Sequence, residues 1–174
     1  ASLMSDASHE VVPLMLPIVI SQMVGNHDAP FYVGLISGVA TLIASIVGIY
    51  AGILSDSYPK KPLILLGYFL AGSLTGALAW AQRWEFVALC VAGVWVGRGL
   101  VSTPRNALLA GTTDARYYGR VFGFRQACDT VGSVIGPALV YLFSAWSPSS
   151  IFLLTLIPGC GAFAITAALV EDSP

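Results

Sequence analysis

The sequence predicts an all-α membrane protein. Of its 174 residues, 56% are hydrophobic and only 10% are charged, whereas soluble domains carry about 25% charged residues. The apolar residues form six runs, and each is long enough to cross a bilayer, which takes about 20 helical residues. A transmembrane β-barrel is disfavoured because its strands have about ten residues of alternating polarity. A soluble helical domain is disfavoured because little polar surface would remain to cover it.

Six transmembrane helices are predicted, joined by short links. They cover residues 3–24, 31–54, 63–81, 86–110, 121–143 and 151–170. No link is long enough for a soluble domain, so residues 1–174 are predicted to form a single six-helix transmembrane domain.

Basic residues in the links predict the orientation of the bundle. The second and fourth links hold four of them, whereas the other links hold only Arg83: the four are Lys60, Lys61, Arg116 and Arg120. Basic links stay on the cytoplasmic side. We therefore expect the second and fourth links, and both chain termini, in the cytoplasm.

The first span carries three ionisable side chains. Asp6 and Glu10 are four residues apart and therefore project from one face of a helix. His9 is of a type that titrates near physiological pH. Two carboxylates on one face can bind a cation or carry a proton, although a position in water near the cytoplasmic end remains the alternative. The zinc-protease pattern H-E-x-x-H is absent, because His9 and Glu10 are followed by Pro13.

Small residues recur every three or four positions in the second span. Such residues let helix backbones approach closely in lipid, so we expect tight helix packing here rather than a ligand site. The fifth span repeats the pattern. The predicted packing residues are Gly34, Gly38, Gly48, Gly132, Gly136 and Pro137. The third span is free of charge.

Ionisable side chains also occur in the fourth and fifth spans. Arg98 lies about halfway along the fourth span between two glycines, and a charge at that depth usually faces a cavity or a partner. Asp129 follows Arg125 by four residues, which allows either a helical ion pair or a proton relay. Three arginines are expected at charged cytoplasmic ends, where Arg105 would reach towards water: Arg105, Arg120 and Arg125. We take Asp6, His9, Glu10, Arg98 and Asp129 as candidates for a substrate or ion path.

The link between the second and third spans has a glycine, an aspartate four residues later and then a basic pair: Gly52, Asp56, Lys60 and Lys61. This pattern resembles the signature loop of the major facilitator superfamily. Ser57 and Pro59 depart from the family pattern, which usually has a basic residue and a glycine there. The resemblance implies a gating role for this loop rather than substrate binding.

Further stretches resemble a bacterial branch of the same superfamily whose substrates are unassigned. They are residues 5–13, 97–108, 119–129 and 132–137, so the resemblance spans essentially the whole chain. It implies the N-terminal six-helix half of a twelve-helix transporter. Within that half, a three-plus-three inverted repeat would relate the first span to the fourth.

The sequence indicates transport rather than catalysis. It has no nucleophile–base constellation and no phosphate loop, so we predict no enzyme activity and no cofactor. Its three cysteines are far apart in apolar runs, which predicts buried packing residues and no metal site: Cys90, Cys128 and Cys160. A net charge of −1 gives no electrostatic support for a nucleic-acid partner.

The leading interpretation is alternating-access transport of a small molecule or ion in a bacterial inner membrane, driven by symport or antiport of protons or other ions. The partners expected are the solute, membrane lipid and a second six-helix half. That half would be a C-terminal continuation, a partner chain or a second copy. The alternative is a non-transporting membrane subunit that uses the same fold for assembly or anchoring.

Overall fold

The fold is all-α. A computed structural model describes residues 2–143 and 146–170, and these residues contain no β-strand, which confirms the predicted fold class. The α-helices in this part of the chain are α1 Ser2–His9, α2 Val11–Val24, α3 Ala29–Ser57, α4 Lys60–Ala77, α5 Trp84–Thr112, α6 Tyr118–Leu142, α7 Pro148–Leu154 and α8 Leu156–Leu169. Short 3₁₀ helices follow α4 and precede α6. The ends of the chain, Ala1 and residues 171–174, lie outside the described residues.

Prolines break the first and last spans. The helix α1 ends at His9, four residues before Pro13, and α7 ends at Leu154, four residues before Pro158. Proline has no N–H, and its ring clashes with the carbonyl four residues earlier. Each of these spans is therefore two helices end to end. Gly25, with a φ of 85°, ends α2 by donating its N–H to the Ser21 carbonyl over 3.0 Å.

Most of the described helical stretches are long and apolar enough to cross a membrane. They are Leu3–Val24, Ala29–Ser57, Lys60–Trp80, Trp84–Thr112 and Pro148–Ala168. The helix α6 covers the fifth predicted span and has 25 residues. It does not stand out by hydropathy, because charged side chains such as Arg125 and Asp129 interrupt its apolar sequence.

The helix α5 is central, since it packs against both α3 and α4, while α1 packs against α6 and α8. Glycines set the α5 contacts. A Cβ added at Gly99 would lie 2.8 Å from the Ala44 carbonyl of α3, and one at Gly97 would lie 2.6 Å from the Gly67 carbonyl of α4. The main apolar core lies towards the α2 and α7 end of the bundle, among buried side chains such as Val11, Ile20, Val87, Val91 and Phe152.

The predicted packing glycines fall into two groups. A Cβ at Gly132 would lie 2.7 Å from the Leu3 carbonyl, and one at Gly136 would lie 3.0 Å from Glu10 Cβ, so α6 fits closely against α1. Gly34 and Gly38 are exposed, and no described atom lies within 4 Å of an added Cβ. For these two glycines the predicted helix packing stays a prediction, because α5 meets α3 further along, near Gly48.

Candidate functional site

The contact between α1 and α6 positions the two carboxylates of the first span. Asp6 and Glu10 are four residues apart on α1 and at its end, and Gly132 and Gly136 have the same spacing on α6. A Cβ at Gly132 would come 3.0 Å from Asp6 Cβ, and one at Gly136 the same distance from Glu10 Cβ. The side chains of Asp6 and Glu10 therefore leave α1 opposite glycines of α6, where that helix presents only backbone atoms.

Glu10 pairs with the arginine of the fourth span. Arg98 Nη2 lies 3.8 Å from Glu10 Oε1, and each side chain is 30% exposed. The guanidinium also lies over the ring of Trp95, 4.7 Å from its centroid, which is a cation–π arrangement. Arg98 thus faces acidic and aromatic groups of the bundle.

Asp129 is shared by two arginines. Its Oδ2 lies 3.7 Å from Arg105 Nη2 of α5 and 3.4 Å from Arg125 Nη1 of its own helix. The three side chains are only 16–18% exposed. The prediction that Arg105 reaches towards water is therefore wrong, because Asp129 supplies its counter-charge inside the bundle. The ion pair between Arg125 and Asp129 is one of the two arrangements predicted for that spacing. Arg120 is exposed.

Asp6 completes a group of six charges, which we call the polar cluster: Asp6, Glu10, Arg98, Arg105, Arg125 and Asp129. Asp6 interacts with the Asp129 side chain and lies within electrostatic range of Arg105 and Arg98. The cluster holds three acidic and three basic residues, and it joins α1, α5 and α6. Its formal charge is balanced when all six groups are ionised.

His9 lies beside the cluster but is held by a different partner. Its ring is 6% exposed, and its Nδ1 lies 3.1 Å from the Ser5 hydroxyl one turn earlier. It lines the same cavity as Asp6 and Arg98. The structure therefore brings together all five residues proposed for a path.

A cleft of about 650 Å³ opens beside the cluster, between α1, α3 and α5. Its lining is largely polar or small, with hydroxyls on all three helices. The lining includes Ser5, Asp6, His9, Thr41, Ser45, Gly48, Gly52, Trp95, Arg98, Ser102, Thr103 and Arg105. The Thr103 hydroxyl donates to the Gly48 carbonyl over 3.2 Å and ties α5 to α3 at the cleft wall.

Several residues of this site were not predicted from the sequence. Trp95 precedes Arg98 by three residues, and that spacing, which puts both on one helix face, was the available signal. Ser102 follows Arg98 by four residues, which is the same kind of spacing, and Thr103 comes directly after it. Tyr68 had no such signal: it comes from α4, lies near Arg105 and is 4% exposed.

The loop residues lie apart from the cluster. Asp56 is exposed in the last turn of α3, and Lys60 begins α4. Only Gly52 of this group lines the cleft, where an added Cβ would lie 3.1 Å from Thr103 Cγ2. The geometry separates the loop from the polar cluster.

No group of three or more potential metal ligands among His, Cys, Asp and Glu occurs in the described part of the chain. Cys90 is buried and Cys128 is partly buried, but Cys160 is exposed. The prediction that all three cysteines are buried is therefore wrong for Cys160. It lies on a face of α8 that the other described helices do not cover.

Comparison with known proteins agrees with this architecture. The family model described as Major Facilitator Superfamily matches residues 1–174. The uncharacterized MFS-type transporter MJ1317 of Methanocaldococcus jannaschii is 26% identical over 176 residues, covering 99% of this chain and 43% of that protein. Multidrug resistance protein MdtH of Yersinia pestis and that of Yersinia pseudotuberculosis are each 29% identical over 134 residues, covering 72% of this chain and 33% of the relative.

The chain therefore spans less than half the length of these curated relatives. The match to the family model covers every residue of the chain. The matched residues form a helical bundle with several apolar helices of membrane length, as an integral multi-pass membrane protein requires. The chain belongs to the Major Facilitator Superfamily.

Proposed function

We propose that the chain is one half of a secondary transporter and that its cleft is one wall of the solute path. The observation that carries the proposal is the polar cluster beside that cleft. Ionisable groups within membrane spans are costly, by a few kcal/mol or more near the centre, and they usually mark a substrate or ion pathway. Here six of them balance one another next to a cavity of about 650 Å³.

The second wall would come from another six-helix half. In this proposal the two halves rock about a site near the midplane and expose it alternately to each side. Support comes from α3, whose small residues Gly34, Gly38, Thr41 and Ser45 are exposed. Thr41 and Ser45 also line the cleft. Small residues suit close approach of a further helix. A C-terminal continuation, a partner chain or a second copy would each provide it.

The cleft suits a small organic solute that has polar groups and an aromatic or anionic part. Trp95 offers a ring, and Arg98 offers a guanidinium that is 30% exposed. The Yersinia relatives are named multidrug resistance proteins, which makes small drugs the first set of solutes to test. We propose a gradient of protons or another ion as the energy source, with Asp6, His9, Glu10 and Asp129 as the groups to test for coupling.

We place the protein in the bacterial inner membrane with both termini in the cytoplasm. The basic residues of the α3–α4 and α5–α6 links support this orientation. In that orientation the cleft lies in the cytoplasmic half of the bundle, because it is lined by the latter parts of α3 and α5.

Reconstitution into liposomes tests the proposal. The chain is reconstituted together with its second half, and uptake of a panel of radiolabelled drugs and organic anions into the liposomes is followed with and without an imposed pH or sodium gradient. Gradient-dependent uptake that is lost in Arg98→Leu and kept in Arg83→Gln, a change at an exposed ion pair, supports transport through this cleft. Equal uptake by both variants contradicts it.

The alternative, a non-transporting membrane subunit, makes a different prediction. A scaffold would lose assembly with its partner when its exposed α3 face is changed, while replacements in the polar cluster would alter stability alone. Uptake that depends on Arg98 in a fully folded, fully assembled protein therefore favours transport.

A further inference from the structure

A second cavity lies on the other side of Arg105 from the cleft. It has a volume of about 370 Å³ and is formed by α1, α4, α5, α6 and α8. We call it the outer pocket. No residue of α3, which walls the cleft, is among the described residues that line it. Its lining is Leu3, Ile64, Tyr68, Arg105, Leu108, Leu109, Val121, Phe124, Arg125, Cys128, Thr166 and Val170.

The lining combines apolar walls with a basic polar patch. Arg105 and Arg125 both line the pocket, and no acidic residue does among those described. Asp129 pairs with both guanidiniums but is not part of the lining. A ligand in the outer pocket would therefore meet two positive groups and a hydrocarbon surface.

A buried polar atom at this patch lacks a hydrogen-bond partner. Arg125 Nε is buried and has no hydrogen-bond partner within the described residues. The Tyr68 side chain of the same pocket is 4% exposed, and its hydroxyl lies close enough to the Arg105 side chain to interact with it. An unsatisfied buried polar group costs about 1–3 kcal/mol, so a ligand with acceptor oxygens would relieve it.

The length of α5 puts the pocket near the edge of the hydrocarbon core. The 29 residues of α5 extend about 44 Å at 1.5 Å per residue, so the helix exceeds the hydrocarbon core of about 30 Å by about 7 Å at each end. Arg105 is seven residues before the end of α5, or about 10 Å. Its guanidinium thus lies a few ångströms from the edge of the hydrocarbon core. Phe124, 75% exposed, stands at the mouth of the pocket.

We propose that the outer pocket binds an anionic phospholipid of the surrounding bilayer, with its phosphate at Arg105, Arg125 and Tyr68 and the start of an acyl chain along Leu108, Leu109 and Val121. Basic pockets between transmembrane helices are known to take anionic head groups. Because Arg105 lines both cavities, the bound phosphate acts directly on the ion pair between Arg105 and Asp129. The lipid is thereby a structural partner of the polar cluster.

Native mass spectrometry tests this proposal. The purified protein is placed in nanodiscs with equal amounts of phosphatidylglycerol and phosphatidylcholine of identical chains, and the lipids that stay bound on release are counted. We expect phosphatidylglycerol to be retained over phosphatidylcholine. Arg125→Gln should lower that preference about fivefold, as expected for one basic residue at a membrane surface.

Two matched tryptophan variants locate the lipid. Cys128→Trp fills the outer pocket, whereas Cys160→Trp adds the same ring on the exposed face of α8 outside it. We expect Cys128→Trp to abolish preferential retention and Cys160→Trp to keep it. Equal retention of the two lipids by the unchanged protein, or equal retention of phosphatidylglycerol by the two variants, overturns the proposal. If Cys128→Trp fails to fold, Arg125→Gln decides alone.

Discussion

Arg105 of α5 and Asp129 of α6 form an ion pair inside the bundle, with Arg105 Nη2 3.7 Å from Asp129 Oδ2. Arg125 approaches the same oxygen at 3.4 Å. One carboxylate therefore holds two guanidiniums, of which the sequence alone assigned Arg105 to water. This arrangement makes Asp129 the centre of the charge balance on the α6 side of the polar cluster.

Replacing Asp129 with asparagine should destabilise the protein. Removing one partner of a buried ion pair costs about 3–5 kcal/mol, and the partial exposure of these side chains, 16–18%, reduces the expected loss to about 2–3 kcal/mol. The measurement is the free energy of unfolding in detergent micelles.

A double variant and a surface variant control that experiment. Arg125→Gln combined with Asp129→Asn removes one of the uncompensated charges, so it should recover part of the lost stability. Glu85→Gln breaks an exposed ion pair, with Arg83 79% exposed, and should change stability by less than about 1 kcal/mol. If Asp129→Asn is no worse than Glu85→Gln, Asp129 is not the counter-charge described here.

A methyl group at Gly132 should separate α1 from α6. In Gly132→Ala the new Cβ would lie 2.7 Å from the Leu3 carbonyl, a backbone atom that moves only with its helix. Overpacking of this kind costs about 1–3 kcal/mol. Gly38→Ala is the matched control, because no described atom lies within 4 Å of its Cβ. The melting temperature of the isolated chain should fall for Gly132→Ala and stay unchanged or rise for Gly38→Ala. Equal melting temperatures would refute close packing at Gly132.

Arg98→Leu should strongly reduce transport without unfolding the protein. It removes the charge that faces Glu10 at 3.8 Å and stacks on Trp95, and a cation–π contact alone is worth about 0.5–2 kcal/mol. We expect uptake to fall by about tenfold or more. Arg98→Lys keeps the charge but not the planar group, so it should keep an intermediate rate. Full uptake by Arg98→Leu would mean that this residue is outside the path.

Asp56→Asn should slow transport and leave the choice of solute unchanged. Asp56 is exposed at the end of α3, next to the turn that leads to Lys60, and it does not line the cleft in the described residues. Its effect would therefore fall on the conformational change. Uptake rates for several competing solutes provide the measurement: a common decrease is expected, and an altered order of preference at an unchanged rate would count against this role.

The sequence predicted the helical membrane fold and the family because these depend on apolar length and on local motifs. It could not predict which face of a helix another helix covers. The small residues from Gly34 to Gly52 recur every three or four positions throughout, yet only the later ones lie against α5. The inward position of Arg105 likewise depends on Asp129, a residue 24 positions away, and no local pattern encodes that meeting. The breaks at His9 and Leu154 were readable in principle, since each lies four residues before a proline.

Solute flux through the isolated six-helix chain tests the central claim most directly. The chain is purified, its mass in detergent is measured to select the monomer, and the monomer is reconstituted into liposomes with a solute found by the reconstitution screen. If the cleft is only one wall of the path, the monomer gives no flux above that of protein-free liposomes, and flux returns when the second half is added. A stable monomer that moves the solute by itself would contradict the account.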